Sequence, residues 1–359
     1  MEEKFKVKEY LENLRSEIDL TIEKYLPKKV SKEWVEKVFG KEKFKFSLRA
    51  IQKSILDPFW EFLNRGGKRW RPALFLLVLE ALGRDGKKFQ DFSIIPELAH
   101  NSSLIIDDIE DQSELRRGKP CLHKIFGLDI ALNVGNFFYF FPIFVFEKNK
   151  RKLKEKTYLK VLQTYLAEME RLHLGQATDI FWHRGLQRKI SEKEYFQMVA
   201  FKTGCMARLA TRLAAILAEK EKLEKLFGDF GESLGIAFQI QDDILDITLS
   251  GEKREKFGKA FGNDIKEGKK SLPVIFALKK ASRKDRQRLL EILEKHTDKA
   301  KEKIEAIKII EKWGGIEYGK KKAKEFLEKA LQILKEIFPQ KRSREKLEAL
   351  AKFLIQRQI

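Results

Sequence analysis

Cysteine and proline are scarce in this chain of 359 residues. It contains only two cysteines, Cys121 and Cys205, which exclude a disulfide framework and the ligand spacing of a zinc site. Two isolated thiols are typical of a reducing compartment, so we expect a cytoplasmic protein. Proline is also scarce, with 8 residues, while Leu, Ile, Phe, Glu and Lys are abundant, a composition that favours helices over strands.

Long uncharged hydrophobic runs are missing as well. The first residues show no apolar stretch of the signal-peptide type, so we expect no such peptide. The most membrane-like segment, residues 125–146, contains Asp129, Asn133, Asn136 and Pro142. This segment therefore predicts a buried helix rather than a membrane span.

Negative charge is in deficit, because 74 Lys and Arg residues face 54 Asp and Glu residues, giving a formal charge of +20. Such an excess fits nucleic acid, an anionic membrane surface or a phosphorylated substrate. No nucleic-acid-binding motif accompanies it, so we expect no nucleic-acid partner. Much of the excess lies in the last third, in runs such as 320–322, and indicates solvated helix faces. Peripheral contact with a membrane surface stays open.

Apolar residues recur at helical spacing along almost the whole chain, for example over 94–106 and 227–245. Period-2 alternation is rare, and glycines such as the pair at 66–67 separate the helical segments. We find neither a repeat of solenoid length nor a low-complexity linker. The sequence thus predicts an all-α protein with a helical extension over residues 1–45 and a single domain over 46–359.

Two Asp-Asp-x-x-Asp clusters carry the strongest chemical signal. They are Asp107, Asp108 and Asp111, and Asp242, Asp243 and Asp246. Both follow apolar runs, where three carboxylates are costly unless cations neutralise them. Residues four apart share a helix face, so Asp107 converges with Asp111, and Asp242 with Asp246. Oxygen ligands in this arrangement suit Mg²⁺, which bridges carboxylates to phosphates, whereas no EF-hand loop indicates calcium.

Cations beside glycines and beside these clusters are candidates to bind a diphosphate. They are Lys68 and Arg71 next to Gly67, Arg116 and Arg117 after the first cluster, and Lys202, Lys259 and Lys269 further on. His100 is another candidate, because it precedes Asp107 by two helical turns on the same face. Any one of these residues is weak evidence for diphosphate binding in a chain so rich in Lys and Arg. Their placement beside glycines and aspartate clusters strengthens the inference.

Together these motifs resemble the trans-prenyl diphosphate synthase family over roughly residues 55–280. The resemblance is carried by Gly-Gly-Lys-Arg-x-Arg-Pro at 66–72, both aspartate clusters, Gly175-Gln176-x-x-Asp179, Lys202-Thr203, Phe238-Gln239 and Gly268-Lys269-x-x-Leu272-Pro273. Segments 100–111 and 172–182 are most similar to geranylgeranyl diphosphate synthases of the eukaryotic type. The second cluster departs from that type because it is a complete Asp-Asp-x-x-Asp. The tail after about residue 280 matches no motif of the family.

The resemblance implies an antiparallel helix bundle around a deep central cavity, usually as a homodimer. It implies head-to-tail addition of isopentenyl diphosphate to an allylic diphosphate, with release of diphosphate. Magnesium would be held by Asp107, Asp111 and Asp242, with Asp108, Asp243 and Asp246 completing the catalytic set. The leaving diphosphate would meet Arg116, Lys202 and Lys269, and the allylic cation would meet the Thr203 hydroxyl and the Gln239 carbonyl. Isopentenyl diphosphate would be held by Lys68, Arg71, His100 and Arg117, with Gly67 and Lys259 completing the binding set.

The product follows less directly from the sequence. Ser102 and Ser103 are small and should not block a growing chain, while the aromatic run 137–141 is a candidate wall. The likeness favours geranylgeranyl diphosphate made from farnesyl diphosphate, and a longer polyprenyl product remains open. A terpene cyclase would not need the second cationic set, and a non-catalytic subunit tends to lose an aspartate cluster, so both are less favoured.

Overall fold

The computed structural model describes residues 5–249 and 261–356, which are almost entirely helical. In the first half the helices are α1 (Val7–Tyr25), α2 (Lys32–Phe39), α3 (Leu48–Ile51), α4 (Asp57–Asn64), α5 (Trp70–Ala81), α6 (Gly86–Glu110), α7 (Leu122–Ile125), α8 (Leu128–Asn149) and α9 (Glu155–His183). The others are α10 (Glu192–Val199), α11 (Cys205–Leu217), α12 (Glu224–Thr248), α13 (Asn263–Lys266), α14 (Leu272–Lys280), α15 (Arg283–Glu294), α16 (Ala300–Lys312), α17 (Gly315–Ile337) and α18 (Lys341–Gln356). The prediction of an all-α protein is confirmed.

Short irregular elements join several of the α-helices in the described part of the chain. π turns join α3 to α4 at Gln52–Leu56 and α10 to α11 at Ala200–Gly204. A hairpin pairs β1 (Leu115–Arg116) with β2 (Lys119–Pro120) in antiparallel fashion. The sequence patterns predicted none of these, because a π turn keeps the apolar spacing of a helix and each strand has only two residues.

The chain divides into two compact units, Met1–Thr164 with Leu213–Glu221, and Tyr165–Arg212 with Lys222–Ile359. Each unit holds one aspartate cluster. The predicted boundary between residues 45 and 46 stays a prediction, although α1 packs against α5 and α6 inside the first unit.

In the first unit the most extensive helix pairing is that of α6 with α8. The two helices approach closely at Gly135, where a Cβ atom would lie 2.5 Å from Ile106. The hydroxyl of Ser102 donates to the carbonyl oxygen of Gly135 at the same contact. This contact holds the last two turns of α6, which carry the first aspartate cluster.

Helix α8 occupies the segment that the sequence predicts as a buried helix, and the helix is present. One face is buried through Val134, Phe138 and Val145, whereas Phe140 on the opposite face is 67% exposed. Of the aromatic run proposed as a wall, Phe140 therefore faces outward. By length and composition Leu128–Lys152 could cross a membrane, a criterion that core helices of soluble proteins also meet.

In the second unit α12 packs along α17 and against the π turn at Ala200–Gly204. A Cβ atom on Gly235 would lie 2.6 Å from the Cα atom of Gly204, so two glycines allow the backbones to meet. The start of α10 is fixed by a capping box between Ser191 and Glu194. The π turn is thus contacted by α12, and the capping box fixes the start of the helix that precedes it.

A buried ionic network ties α9, α11 and α12 together in the second unit. Glu168 has no exposed surface and pairs with Arg208 and Arg212 at 2.7 Å each. Arg208 also pairs with Glu232, and Arg212 with Glu224. Buried charges are tolerated only when they are paired in this way.

Candidate active site

The first cluster lies where α6 ends, with Asp107 and Asp108 in its last turn and Asp111 as its C-terminal cap. Asp108 is 1% exposed, and its carboxylate accepts a hydrogen bond of 2.7 Å from Arg116 Nε. Burial raises the pKa of Asp108, although Arg116 opposes the shift. Asp107 and Asp111 are only partly buried. The middle carboxylate is therefore turned towards the protein, and the outer pair retains access to solvent.

The arginines after this cluster form the hairpin. Arg117 and Gly118 occupy its turn with φ values of 54° and 73°, as a type I′ turn requires. Arg116 lies in β1, and its guanidinium approaches Asp107 to 3.4 Å. Burial lowers the pKa of Arg116, but the charges of Asp108 and Asp107 outweigh it and raise the pKa. Arg116 is thus a fixed cation at the first cluster.

The glycine-rich cationic segment is organised by Arg69, which is 2% exposed. Its guanidinium donates to Asp19 and to Glu97, both at 2.9 Å. Gly67 has a φ of 131°, and a Cβ atom there would lie 3.0 Å from Arg69 and 3.4 Å from Arg117. Only glycine fits between these two guanidinium groups.

Two of the remaining predicted cations of this region, Arg71 and Arg117, lie near His100. Burial and then the charge of Arg71, followed by that of Arg117, hold the pKa of His100 well below its usual value, so the imidazole is neutral. Arg117 donates to the carbonyl oxygen of Gly66 at 2.6 Å, and burial lowers the pKa of Arg117 to about 10. Lys68 is exposed. A set of arginines around a neutral imidazole is suited to an anionic ligand.

The second cluster lies in the last two turns of α12. Like the first cluster, it has both buried and partly exposed members. Asp243 is 5% exposed and Asp246 is 1% exposed. Asp246 accepts a hydrogen bond of 3.0 Å from the backbone nitrogen of Asp264. Burial, followed by the charge of Asp264, raises the pKa of Asp243 to about 7. Asp242 alone of this cluster keeps a partly exposed side chain.

Lys202 and Thr203 lie on the π turn, an irregularity often found at functional sites. Lys202 Nζ donates to Asp179 at 2.6 Å, and the Thr203 hydroxyl donates to the Gln239 carbonyl oxygen at 2.8 Å. Burial would raise the pKa of Asp179, but the charges of Lys202 and Lys269 outweigh it and lower the pKa.

Lys259 and Lys269 are the other predicted cations that follow the second cluster. Lys269 pairs with Glu267 at 2.6 Å, beside the Gly268 turn. Lys259 lies outside the described residues. Asp179 was not predicted as a site residue, although it belongs to the Gly-Gln-x-x-Asp motif at 175–179. Its hydrogen bond from Lys202 places it in the site, and that contact is visible only in the structure.

The position of the π turn depends on Gly175 of α9. A Cβ atom on Gly175 would lie 2.4 Å from the backbone nitrogen of Lys202. We expect Gly175→Ala to displace the turn, to lower the free energy of unfolding by about 1–3 kcal/mol through overpacking, and to lower kcat. Thermal unfolding and steady-state kinetics measure both effects.

Gly228→Ala is the matched control for that variant, because Gly228 is also helical and its Cβ atom would meet only side-chain atoms, those of Arg212 at 3.3 Å and of Arg208 at 3.6 Å. We expect this variant to keep its activity. A Gly175→Ala protein with unchanged kcat and unchanged stability would contradict the close approach of Gly175 to Lys202.

Comparison with known proteins identifies the family of this chain. Residues 52–310 match the family described as polyprenyl synthetase. The chain is 35% identical to a short chain isoprenyl diphosphate synthase of Methanothermobacter thermautotrophicus, over 85% of this chain and 91% of that protein. It is 34% identical to a geranylgeranyl pyrophosphate synthase of Dictyostelium discoideum, over 82% of this chain and 92% of that protein. The crystal structure of a geranylgeranyl pyrophosphate synthetase from Pyrococcus horikoshii superposes with a TM-score of 0.84 at 29% identity and covers 98% of both chains. This chain therefore belongs to the polyprenyl synthetase family and is a prenyltransferase.

Proposed function

We propose that this prenyltransferase is a magnesium-dependent synthase that condenses isopentenyl diphosphate with farnesyl diphosphate to geranylgeranyl diphosphate. The observation that carries the proposal is the division of both aspartate clusters. The side chains of Asp108, Asp243 and Asp246 are buried, whereas those of Asp107, Asp111 and Asp242 are partly exposed. The latter three are the residues that the resemblance assigns to magnesium. The names of the Dictyostelium and Pyrococcus relatives support the geranylgeranyl product.

The donor set fits Mg²⁺ by its chemistry. Over residues 5–249 and 261–356, no three His, Cys, Asp or Glu side chains form a ready-made metal cage. Mg²⁺ commonly uses one or two carboxylates together with waters and substrate phosphates, and Asp107 with Asp111, four residues apart, offers such a pair. When bound, the metal would neutralise charge that develops on the departing diphosphate.

The protein's own groups divide the remaining work. Arg71, Arg117 and neutral His100, together with Lys68, would hold isopentenyl diphosphate. Arg116, Lys202 and Lys269 would stabilise the leaving diphosphate of the allylic substrate. The Gln239 carbonyl oxygen and the Thr203 hydroxyl are dipoles that stabilise the allylic cation without trapping it covalently. The departing diphosphate would accept the last proton.

Product analysis tests the proposal directly. The protein is incubated with MgCl₂, isopentenyl diphosphate and farnesyl diphosphate, and the product mass is measured, with EDTA added to a parallel sample. We expect geranylgeranyl diphosphate, and none in EDTA. A longer product would favour the polyprenyl alternative, and a hydrocarbon formed from farnesyl diphosphate alone would favour a terpene cyclase. Complete inactivity would favour a non-catalytic subunit.

We also propose a cytoplasmic homodimer. Leu166, Leu174 and Phe181 on α9 are 44%, 60% and 47% exposed, and their spacing of eight and seven residues places them on one helix face. Such an apolar stripe supports burial against a second copy. Light scattering after size-exclusion chromatography measures the mass, and a monomer at micromolar concentration would contradict the dimer.

Peripheral membrane contact is supported by the loop after α2. Phe44 is 80% exposed and lies between Lys43 and Lys45. An exposed aromatic side chain between lysines suits an anionic membrane surface. Flotation with anionic vesicles, but not with neutral ones, is the expected result, and Phe44→Ser should weaken it.

A further inference from the structure

Four side chains of the second unit form a continuous series of hydrogen bonds. The Tyr195 hydroxyl donates to Asp243 Oδ2 at 2.6 Å, and the Gln239 amide nitrogen donates to Asp243 Oδ1 at 2.8 Å. The Gln239 carbonyl oxygen in turn accepts from the Thr203 hydroxyl at 2.8 Å. Tyr195 and Thr203 lie on one uninterrupted helical run through α10, the π turn and α11, so the series closes into a ring through the backbone.

The ring determines which way the Gln239 amide faces. An amide group has a donor end and an acceptor end, and its neighbours decide its orientation. Both carboxyl oxygens of Asp243 accept hydrogen bonds, one from Tyr195 and one from the Gln239 nitrogen, so Asp243 holds the nitrogen end of Gln239. The carbonyl end is thereby turned towards Thr203.

Asp243 is itself held in place by donors from other elements. The Tyr195 hydroxyl comes from α10, and the backbone nitrogen of Leu272 comes from the start of α14. Tyr195 is only 1% exposed, so no solvent competes for its hydroxyl. The capping box of Ser191 fixes the first turn of α10 close to it.

We propose that Tyr195 is a positioning residue for prenyl transfer. It holds Asp243, and through Asp243 it keeps the Gln239 carbonyl oxygen beside the Thr203 hydroxyl, where positive charge develops on the allylic substrate. The inference rests on the proposed function, in which Gln239 and Thr203 stabilise the allylic cation. Tyr195 touches neither substrate and acts through the orientation of one amide.

Tyr195→Phe removes the hydroxyl and keeps the ring. We expect kcat to fall about tenfold, equivalent to one misdirected dipole in the transition state, while KM for isopentenyl diphosphate changes by less than about twofold. Tyr318→Phe is the matched control, because Tyr318 also donates its hydroxyl to a carboxylate of the second unit, Glu192, at 2.5 Å. It should retain the kcat of the parent.

A double-mutant cycle separates positioning from a general structural role. Gln239→Ala removes the amide that Tyr195 is proposed to orient, so adding Tyr195→Phe to it should lower kcat by less than about twofold further. Independent losses that multiply would overturn the proposal, and so would a Tyr195→Phe enzyme with the parent's kcat.

A second variant keeps the proposal testable if Tyr195→Phe does not fold, as judged by circular dichroism. Asp243→Asn has nearly the same shape, but its amide can present either end to Gln239 and no longer fixes its orientation. It should lower kcat with little change in KM for isopentenyl diphosphate, and unchanged kcat would overturn the proposal. A parent enzyme that forms no prenyl diphosphate refutes the proposed function instead, which is a distinct outcome.

Discussion

The Asp242→Ala variant is expected to lose roughly 10²–10³-fold in kcat at saturating Mg²⁺, the usual cost of removing one preorganised electrostatic group from a transition state. Asp242 is the one carboxylate of its cluster with a partly exposed side chain, so it is the member best placed to bind a metal cation. Asp243 and Asp246 are held by protein donors and cannot readily replace it. The fall in kcat should therefore persist at high Mg²⁺ concentration. Steady-state product formation at several Mg²⁺ concentrations measures it.

Asp229→Ala is the matched control, because Asp229 lies on the same helix, α12, and is exposed. It should leave kcat unchanged, since a surface carboxylate outside the cluster contributes little to metal binding or to catalysis. Circular dichroism verifies that both variants fold. An Asp242→Ala enzyme with nearly normal turnover would refute the assignment of Asp242 to the metal.

The helical fold and the two clusters could be predicted because both depend on local spacing. Apolar periodicity indicated the helices that became α6 and α12, and the four-residue spacing placed Asp107 near Asp111. The inward turn of Asp108 was not predictable, because its donor Arg116 reaches it from a hairpin whose strands have two residues each. The pattern of aspartates is the same whichever side chain turns inward.

Neighbouring cations illustrate the same limit. Arg69 and Arg71 stand two residues apart in one motif, and the resemblance assigned Arg71 to the substrate but gave Arg69 no role. The structure separates Arg69, because it is bonded to Asp19 from α1 and to Glu97 from α6. The contact between Tyr195 and Asp243 likewise joins residues 48 positions apart. Such long-range partners leave no periodic trace in the sequence.

Arg69→Met is expected to lower the free energy of unfolding by about 3–5 kcal/mol at pH 7, the usual effect of removing one partner from a buried ion pair. Glu97 is 3% exposed and would remain buried without the guanidinium that lies 2.9 Å from it. Methionine is unbranched like arginine, so the positive φ of 48° at position 69 should strain both similarly. Chemical denaturation measures the loss.

The matched control is Arg15→Met, which removes an exposed guanidinium that approaches Asp19 to 3.7 Å. Exposed pairs contribute little, so we expect a change within about 1 kcal/mol. An Arg69→Met protein as stable as this control would show that Arg69 does not secure the segment. The kinetic consequence should appear in KM for isopentenyl diphosphate, because Gly67 lies between the guanidinium groups of Arg69 and Arg117.

The pH dependence of the stability lost in Arg69→Met should identify Glu97 as the group responsible. Burial would raise the pKa of Glu97, but the charges of Arg69 and Arg71 outweigh it and lower the pKa. In the parent, this carboxylate therefore stabilises the fold above its unfolded pKa of about 4.3, and the contribution disappears as pH falls through the folded value. Without Arg69, burial should raise the pKa of Glu97 above the unfolded value, so the variant regains stability as Glu97 binds a proton. The difference between parent and variant should accordingly shrink between pH 7 and pH 5, and a constant difference would assign the loss to packing rather than to charge.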